Sequence, residues 1–585
     1  MKLISLTLNG EYKGLANQSF NFSQTQGSIL ALIGLNGSGK SQLLEVIAEV
    51  FAFIERHQRE DFLVRTPLGF GFEVVYELSG TFEPRVGQTH MRINSPAFFV
   101  GGLSNPKFKV VMERDSKALK AFLWSRDEWA SIPTAELRLP YVVGYASGLN
   151  ENLQRSFMKN AVQYFSNIRT RLNRRKAVEK AEDDYDISSV NRKFMIRYPH
   201  LFKPGDALTA QMLESGYLGG YTPEILEDFF LLDVEDKPSR VSNSIYIDYD
   251  CAGLALACLS ILSKEQFDNL FEEISYRYPQ RMVLKYDLTG GIAGVDEVSE
   301  IKMLMRVAGP NGIEGLGKRT KDEQYDLYEL DYISGLITID FSDDHVCSEL
   351  REASYNNPLS LFLRLYKLQQ LGVKNWQGET RRLLGKDNFI GTVKKPLKTK
   401  LPLSIQELTL SDEHGKQVTL DDLSDGEAQF IQVLATAKVF SDEQAIFLFD
   451  EPETHLNPSW RTYFHHYLSK ALDTKEHNSQ VFVSTHSPFM ISSLKKEDVL
   501  FFERDEHSKI LMEPIGTQTY GSSFEVLIKK HFGLRSLISQ TVVEAVKEHL
   551  PKDGNQASIQ EAKQWIENNL GDSMEKAYLL RKLQS

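Results

Sequence analysis

Only three cysteines, Cys251, Cys258 and Cys347, occur in 585 residues, too few for a disulfide framework. Cys251 and Cys258 could share a helix face, but two thiols without companions fall short of a structural zinc site and read as core residues. No apolar run reaches the roughly 18 residues that a membrane span needs. The opening MKLISLTLNGEYKG has no apolar stretch ending in a small-residue cleavage site, so it reads as a first strand over residues 3–8 of a cytoplasmic protein with no membrane partner. Sustained heptads are missing, which excludes a long coiled-coil arm. Repeats and low-complexity tracts are missing too. A formal net charge of -12 excludes a surface coated in positive potential and leaves nucleic-acid binding to local patches.

What is present is enough chain for two or three domains, with 42% hydrophobic residues for cores and 25% charged residues for a soluble surface. Residues 28–33 (SILALI) are an apolar strand feeding a glycine-rich segment, and Leu43, Leu44, Ile47, Ala48 and Phe51 then recur as the stripe of a helix. Alternating strands are expected at 72–77 and 108–113, and a core strand at 140–145. Near Glu151 the pattern turns helical, through Leu153, Phe157, Ala161, Phe165, Ile168 and Leu172. Apolar strands of the kind buried in a parallel sheet return at 445–449 (AIFLF) and 479–484. The expected organisation is a head in two pieces, 1–150 and 401–515, around an inserted helical and mixed domain, 151–400, with a helical tail at 516–585.

Gly34, Leu35, Asn36, Gly37, Ser38, Gly39, Lys40 and Ser41 match G-x-x-x-x-G-K-[ST]. Glycines allow the tight turn that aims backbone N–H groups at phosphates, and the following helix adds its N-terminus. This predicts that Lys40 reaches the β- and γ-phosphates of ATP and that Ser41 ligates magnesium. The strand AIFLF ends in Asp450 and Glu451. On a strand neighbouring the loop, Asp450 would serve the metal, and Glu451 would activate a water against the γ-phosphate. His486, just past the strand 479–484, is placed to contact the γ-phosphate or that water. Ser424, Asp425, Gly426 and Glu427 open a helix through Phe430, Val433 and Leu434. They form a capping device whose N–H groups, with the Ser424 hydroxyl, can also bind a phosphate brought from outside.

The order of glycine-rich loop, LSDGE, FLFDEPETHLNP and STHSP resembles the ATP-binding-cassette class of P-loop ATPases. It is most similar to the branch containing SMC, RecF and OLD-like proteins, with His455-Leu456-Asn457-Pro458 on the OLD-like side. The resemblance implies an α/β fold, an ABC-type head with a mixed sheet. It also implies two heads packed head to tail, each nucleotide lying between one glycine-rich loop and the other head's signature. Gly34, Asn36, Gly37, Ser38, Gly39, Lys40 and Ser41 then bind ATP, joined by Ser424 and Gly426 of the opposite subunit. Ser41 and Asp450 hold Mg2+, with Glu451 as catalytic base and His486 as switch. A further magnesium contact falls on Gln154, Asn150 or Glu151. The arrangement is similar to the ATPases of Septu-type and retron-associated anti-phage defence. Those imply a homodimer or higher oligomer and a separate HNH-type nuclease as partner. A SMC/RecF-like DNA-repair ATPase and an OLD-like ATPase with an embedded nuclease remain alternatives, although no Glu plus Asp-x-Asp set of a nuclease stands out. A transporter subunit fits poorly.

Two basic runs are candidates for DNA or structured RNA. The first is Arg169, Arg171, Arg174, Arg175, Lys176 and Lys180, and the second runs from Arg381 to Lys400. The first also reads as a solvated helix face and the second as a flexible Lys-rich loop, and any binding by either would be nonspecific and salt-dependent. Apolar stripes in the tail, including Val542, Val546, Ile559, Ile566 and Leu580, must be buried against the chain itself or a partner.

Overall fold

The structure is a computed structural model that describes residues 1–82, 103–147, 152–217, 220–289, 294–319, 330–391, 401–472, 478–507, 509–533, 538–551 and 555–583. It separates into two compact units, Met1–Tyr520 and Gly521–Ser585.

In the larger unit, a seven-stranded sheet runs in the order Ser244–Tyr246, Tyr141–Ala146, Ala445–Asp450, Ser479–Ser484, Ile29–Gly34, Val499–Arg504 and Ile510–Pro514. All neighbours are parallel except the last pair. Fully buried strands such as Ile29–Gly34 and Ala445–Asp450 explain the continuous apolar runs, because both faces of a parallel sheet are covered. A six-stranded antiparallel sheet includes Lys2–Tyr12, Gly71–Glu77 and Lys107–Met112, whose alternating burial shows one face on the core and one outward.

The helix Lys40–Gln58 lies in the core shared by the two sheets. Leu43, Leu44, Ile47, Phe51 and Phe53 join Leu6, Phe72, Val74 and Val110 from one sheet, and Leu30, Leu32, Ile446 and Phe482 from the other, in one buried cluster. Its polar stripe is buried as well. Glu45 accepts from Arg155 at 2.8 Å, Glu49 from Lys159 at 2.8 Å, and Arg56 pairs with Asp387 at 2.8 Å. Arg155 and Lys159 come from the helix Asn152–Glu179. Ionic contacts therefore tie the helix after the phosphate loop to the inserted region. Buried charges persist only when paired in this way.

Within the span 151–400, the strand Ser244–Tyr246 adds to the edge of the head sheet beside Tyr141–Ala146. Conversely, Leu403–Ser411 and Gln417–Thr419, just before the signature, pair into a five-stranded sheet with Tyr278–Asp287, Ile313–Arg319 and Tyr332–Asp340. Head and insertion thus exchange strands, which a boundary drawn along the chain does not convey. A small cluster of Met195, Phe202, Leu208, Met212, Leu226 and Phe229 forms its own core. The cysteines are buried and form no disulfide with one another, as expected of core thiols. No helix among the described residues is long and apolar enough to cross a membrane.

The smaller unit holds the helices Phe524–His531, Gln540–His549, Gln556–Asn569 and Met574–Lys582. Leu527, Val546, Ala562 and Ile566 are buried in it, and His549 stacks on Trp565 with ring centroids 4.1 Å apart.

Candidate nucleotide site

The carboxyl ends of five parallel strands converge on the site. Register pairs Ala146 with Asp450, Asp450 with Ser484, Ser484 with Leu32, and Gly34 with Phe502. The strand bearing Asp450 is not the direct neighbour of the phosphate-loop strand, as the sequence reading had it. Ser479–Ser484 lies between them, and His486 follows this intervening strand. Crossing that strand, Ser41 Oγ still donates to Asp450 Oδ1 at 3.0 Å, and Ser484 Oγ donates to the same oxygen.

The loop itself is built as its glycines demand. Gly34, Gly37 and Gly39 have φ of 142°, 76° and 113°, values that L side chains rarely adopt. A Cβ on Gly34 would collide with the Phe502 carbonyl oxygen, and one on Gly39 would come within 2.5 Å of Ile510. Leu35, Asn36 and Gly37 are exposed, whereas Ser38 and Lys40 are buried. Lys40 Nζ donates to the carbonyls of Gly34 at 3.0 Å and Leu35 at 3.2 Å, folded over the loop that it would share with a phosphate. Burial lowers its pKa, opposed by Glu451 and Asp450.

Glu451 has φ +51°, a left-handed conformation that costs about 1–3 kcal/mol in a non-glycine residue and collects at functional sites. Its N–H donates to Ser484 O at 2.9 Å, extending the sheet by one bond before the chain turns. His486 Nε2 stands 3.7 Å from Glu451 Oε1, beyond hydrogen-bond range. Burial, then the nearby Lys40, lowers the His486 pKa, favouring a neutral imidazole at neutral pH.

The signature reads as expected at its cap. Ser424 caps the helix Asp425–Val439 in a reciprocal box with Glu427, and both Ser424 and Asp425 are exposed. Gln429, one turn in, donates to the Tyr145 hydroxyl at 3.0 Å and accepts from His455 N–H at 2.9 Å. A Cβ on Gly426 would sit 2.9 Å from the His455 carbonyl, so glycine lets the signature lie against the loop that follows Glu451. Ser484, Arg504 and Glu453 were not singled out from the sequence. Arg504 Nε donates to Gly37 O at 2.6 Å, a contact with no sequence signal because the two lie 467 residues apart.

The remaining candidates lie elsewhere. Gln154 is buried and lines a cavity with Met158, Tyr246, Cys251, Tyr366 and Trp376, to which no phosphate-loop residue contributes. Asn150 and Glu151 fall outside the described residues. In the first basic run, Arg171 is buried and donates to Lys237 O at 2.6 Å. Arg174 donates to Asn191 at 2.9 Å and Asp236 at 3.3 Å, and it covers the Phe202 ring. Arg175 lines a polar cavity with Arg171, Asp236 and Glu297, and Lys176 is half-buried. In the second run, Arg381 lies over the Phe165 ring, while Lys394, Lys395, Lys398 and Lys400 lie outside the described residues.

Residues 317–492 match the family model "AAA domain, putative AbiEii toxin, Type IV TA system", a span that holds the signature, Asp450-Glu451 and His486. The fold is that of an ABC-type P-loop ATPase head. A curated relative, Protein ea59 of Escherichia phage lambda, is 31% identical over 107 residues. The match covers 17% of this chain and about a fifth (20%) of that protein's length. Among solved structures, the Smc head domain from Pyrococcus yayanosii aligns with TM-score 0.30 and 13% identity, covering 91% of this chain and 99% of that one. The SMC head domain from Thermotoga maritima aligns at 0.29 and 9%, covering 88% and 100%. At those values the fold rests on the strand order and motif geometry above.

Proposed function

We propose that this chain is an ATP-hydrolysing switch whose two sites are completed when two heads meet. The observation that carries the reading is the Ser41–Asp450 hydrogen bond at 3.0 Å, with Glu451 and His486 on the adjoining strand ends. Two hard oxygen donors suit magnesium, which takes one or two protein carboxylate or hydroxyl ligands and fills its sphere with water and phosphate. No larger cluster of His, Cys, Asp or Glu is found among the described residues. Bound magnesium neutralises charge on the β- and γ-phosphates. Lys40 leaves the Gly34 and Leu35 carbonyls for phosphate oxygens. Glu451 accepts a proton from the attacking water as the bond from the γ-phosphorus to the ADP oxygen breaks. His486, held neutral, hydrogen-bonds the γ-phosphate. The exposed Ser424 and the half-buried Gly426 face a second head's nucleotide, which accounts for a phosphate-ready helix start left open to solvent.

We further propose that the switch belongs to a two-component anti-phage defence system, sensing nucleic acid and controlling a separate nuclease of HNH type. The family description, which names a putative toxin, fits a controlled destructive system better than housekeeping repair. With Arg171 and Arg174 engaged internally, Arg169, Arg175, Lys176 and Lys180 are the members of the first run left to meet a phosphate backbone, Arg169 and Lys180 being the exposed ones.

The test is steady-state hydrolysis with nucleotide binding measured alongside. Glu451→Gln is expected to bind ATP with magnesium normally and to lose turnover by at least about a hundredfold; turnover at the wild-type rate removes Glu451 as the base. Mixed dimers of Ser424→Arg and Lys40→Ala chains are expected to recover activity that neither variant has alone. Nuclease assays on the chain and on the complex with its neighbouring gene product, each with and without ATP, test the second part. Metal-dependent cleavage by the chain alone would revive an embedded nuclease.

A further inference from the structure

Behind Glu451, the chain makes a tight turn in which Thr454 N–H donates to Glu451 O at 3.3 Å and Leu456 N–H to Glu453 O at 3.1 Å. The turn sends Glu453 inward rather than toward solvent. It is 4% exposed, and its Oε1 accepts from Thr485 Oγ1. Thr485 is the residue before His486 and is itself fixed twice. Its N–H donates to Leu32 O at 3.1 Å, on the phosphate-loop strand, and its Oγ1 accepts from Ser487 N–H at 2.9 Å. A directed chain of hydrogen bonds thus runs from Ser487 through Thr485 to Glu453, reaching from the switch loop into the turn that holds the base.

Glu453 Oε2 is buried with no hydrogen-bond partner, and so is Ser487 Oγ. A carboxyl left half-satisfied in the interior is expensive, and apolar side chains of similar volume would fill the space without that cost. Packing alone therefore does not account for Glu453.

We infer that Glu453 is a positioning residue that sets the switch loop carrying His486 against the turn carrying Glu451, acting through its hydrogen bond with Thr485. The inference rests on the hydrolysis reading above. Glu453 touches no reacting atom; it fixes the spacing of two groups that do. Since Glu451 and His486 come from different strands, their 3.7 Å separation depends on how the two loops meet, and misplacement of about 1 Å in such a site can lower the rate by about a hundredfold. Burial pushes the Glu453 carboxyl up to about 7, opposed by the Thr485 hydrogen bond, so the neutral acid is accessible and an amide is its fair mimic.

The experiment compares full-length wild type with Glu453→Ala, Glu453→Gln, Thr485→Val and the Glu453→Ala/Thr485→Val double variant. It reads kcat, the Kd of a non-hydrolysable ATP analogue with magnesium, and thermal unfolding. Glu453→Ala is expected to lower kcat at least about tenfold while the analogue's Kd stays within about threefold. Glu453→Gln is expected to restore kcat to within about threefold of wild type, because its amide oxygen still accepts from Thr485. Thr485→Val should match Glu453→Ala, and the double variant should be no slower than either single one, as two ends of one interaction require. Unchanged kcat in Glu453→Ala, a glutamine variant as slow as alanine, or losses that multiply in the double variant would each overturn the inference. Should Glu453→Ala fail to fold, Thr485→Val and Glu453→Gln carry the same decision. An active wild type that is stopped by Glu451→Gln but indifferent to Glu453→Ala refutes the inference alone. A wild type with no ATPase activity refutes the hydrolysis reading as well.

Discussion

Replacing Glu453 by glutamine should change how stability varies with pH more than it changes stability at any single pH. In the folded chain, the buried carboxyl holds its proton up to about 7, against an ordinary value of 4.5. Between those limits the folded state binds more protons than the unfolded one, so its stability falls as pH rises through the window and is level on either side. The displacement corresponds to roughly 3 kcal/mol, and glutamine, which does not titrate, removes it. Histidines whose values burial lowers, such as His200, His486 and His531, are common to both proteins and cancel in the difference. For the unit Met1–Tyr520, an unfolding entropy of about 2 cal/mol/K per residue gives about 1 kcal/mol/K. The gap in midpoint between Glu453→Gln and wild type should therefore move by about 3 °C between pH 4.5 and pH 8. Thermal unfolding of both proteins by circular dichroism across that range gives the difference directly. Midpoints that run parallel would mean that Glu453 is ionised or solvated in the folded chain, and the reasoning from its burial would fail.

Gly34→Ala should weaken ATP binding at least about tenfold, measured by equilibrium titration, since its Cβ meets the Phe502 carbonyl and its φ of 142° disfavours any side chain. Arg56→Met should destabilise the larger unit by about 3 kcal/mol in denaturant unfolding, because it strands the buried Asp387. That figure is the low end of the range, as Asp387 keeps backbone donors from Arg65 and Thr66 at 2.9 Å each.

Local chemistry made most of the site legible. Gly34 to Ser41, the apolar strand before Asp450, and the cap at Ser424 each declare themselves within about ten residues, because a phosphate loop, a buried parallel strand and a helix start are local solutions to local problems. The same locality made the strands at 141–146 and 479–484 readable to within a residue. Where the sequence misled, the cause was distance along the chain. Arg174 carries the same charge whether it faces a phosphate backbone or Asp236, 62 residues away, and nothing in its neighbourhood distinguishes the two.

By itself, then, the sequence determined that a glycine-rich turn at Gly34 to Ser41, an apolar strand ending in Asp450 and Glu451, a capped helix start at Ser424 and a buried strand leading to His486 all exist on this chain. Tertiary structure alone decided their arrangement. It inserted the strand leading to His486 between loop and acid, aligned the five strand ends at one edge, and buried the ionic stripe Glu45, Glu49 and Arg56 under a helix more than 90 residues later. It also turned Glu453 inward onto Thr485. Strand order and the direction a side chain takes from a turn depend on contacts between segments that share no sequence neighbourhood, and those contacts come into being only when the sheet closes.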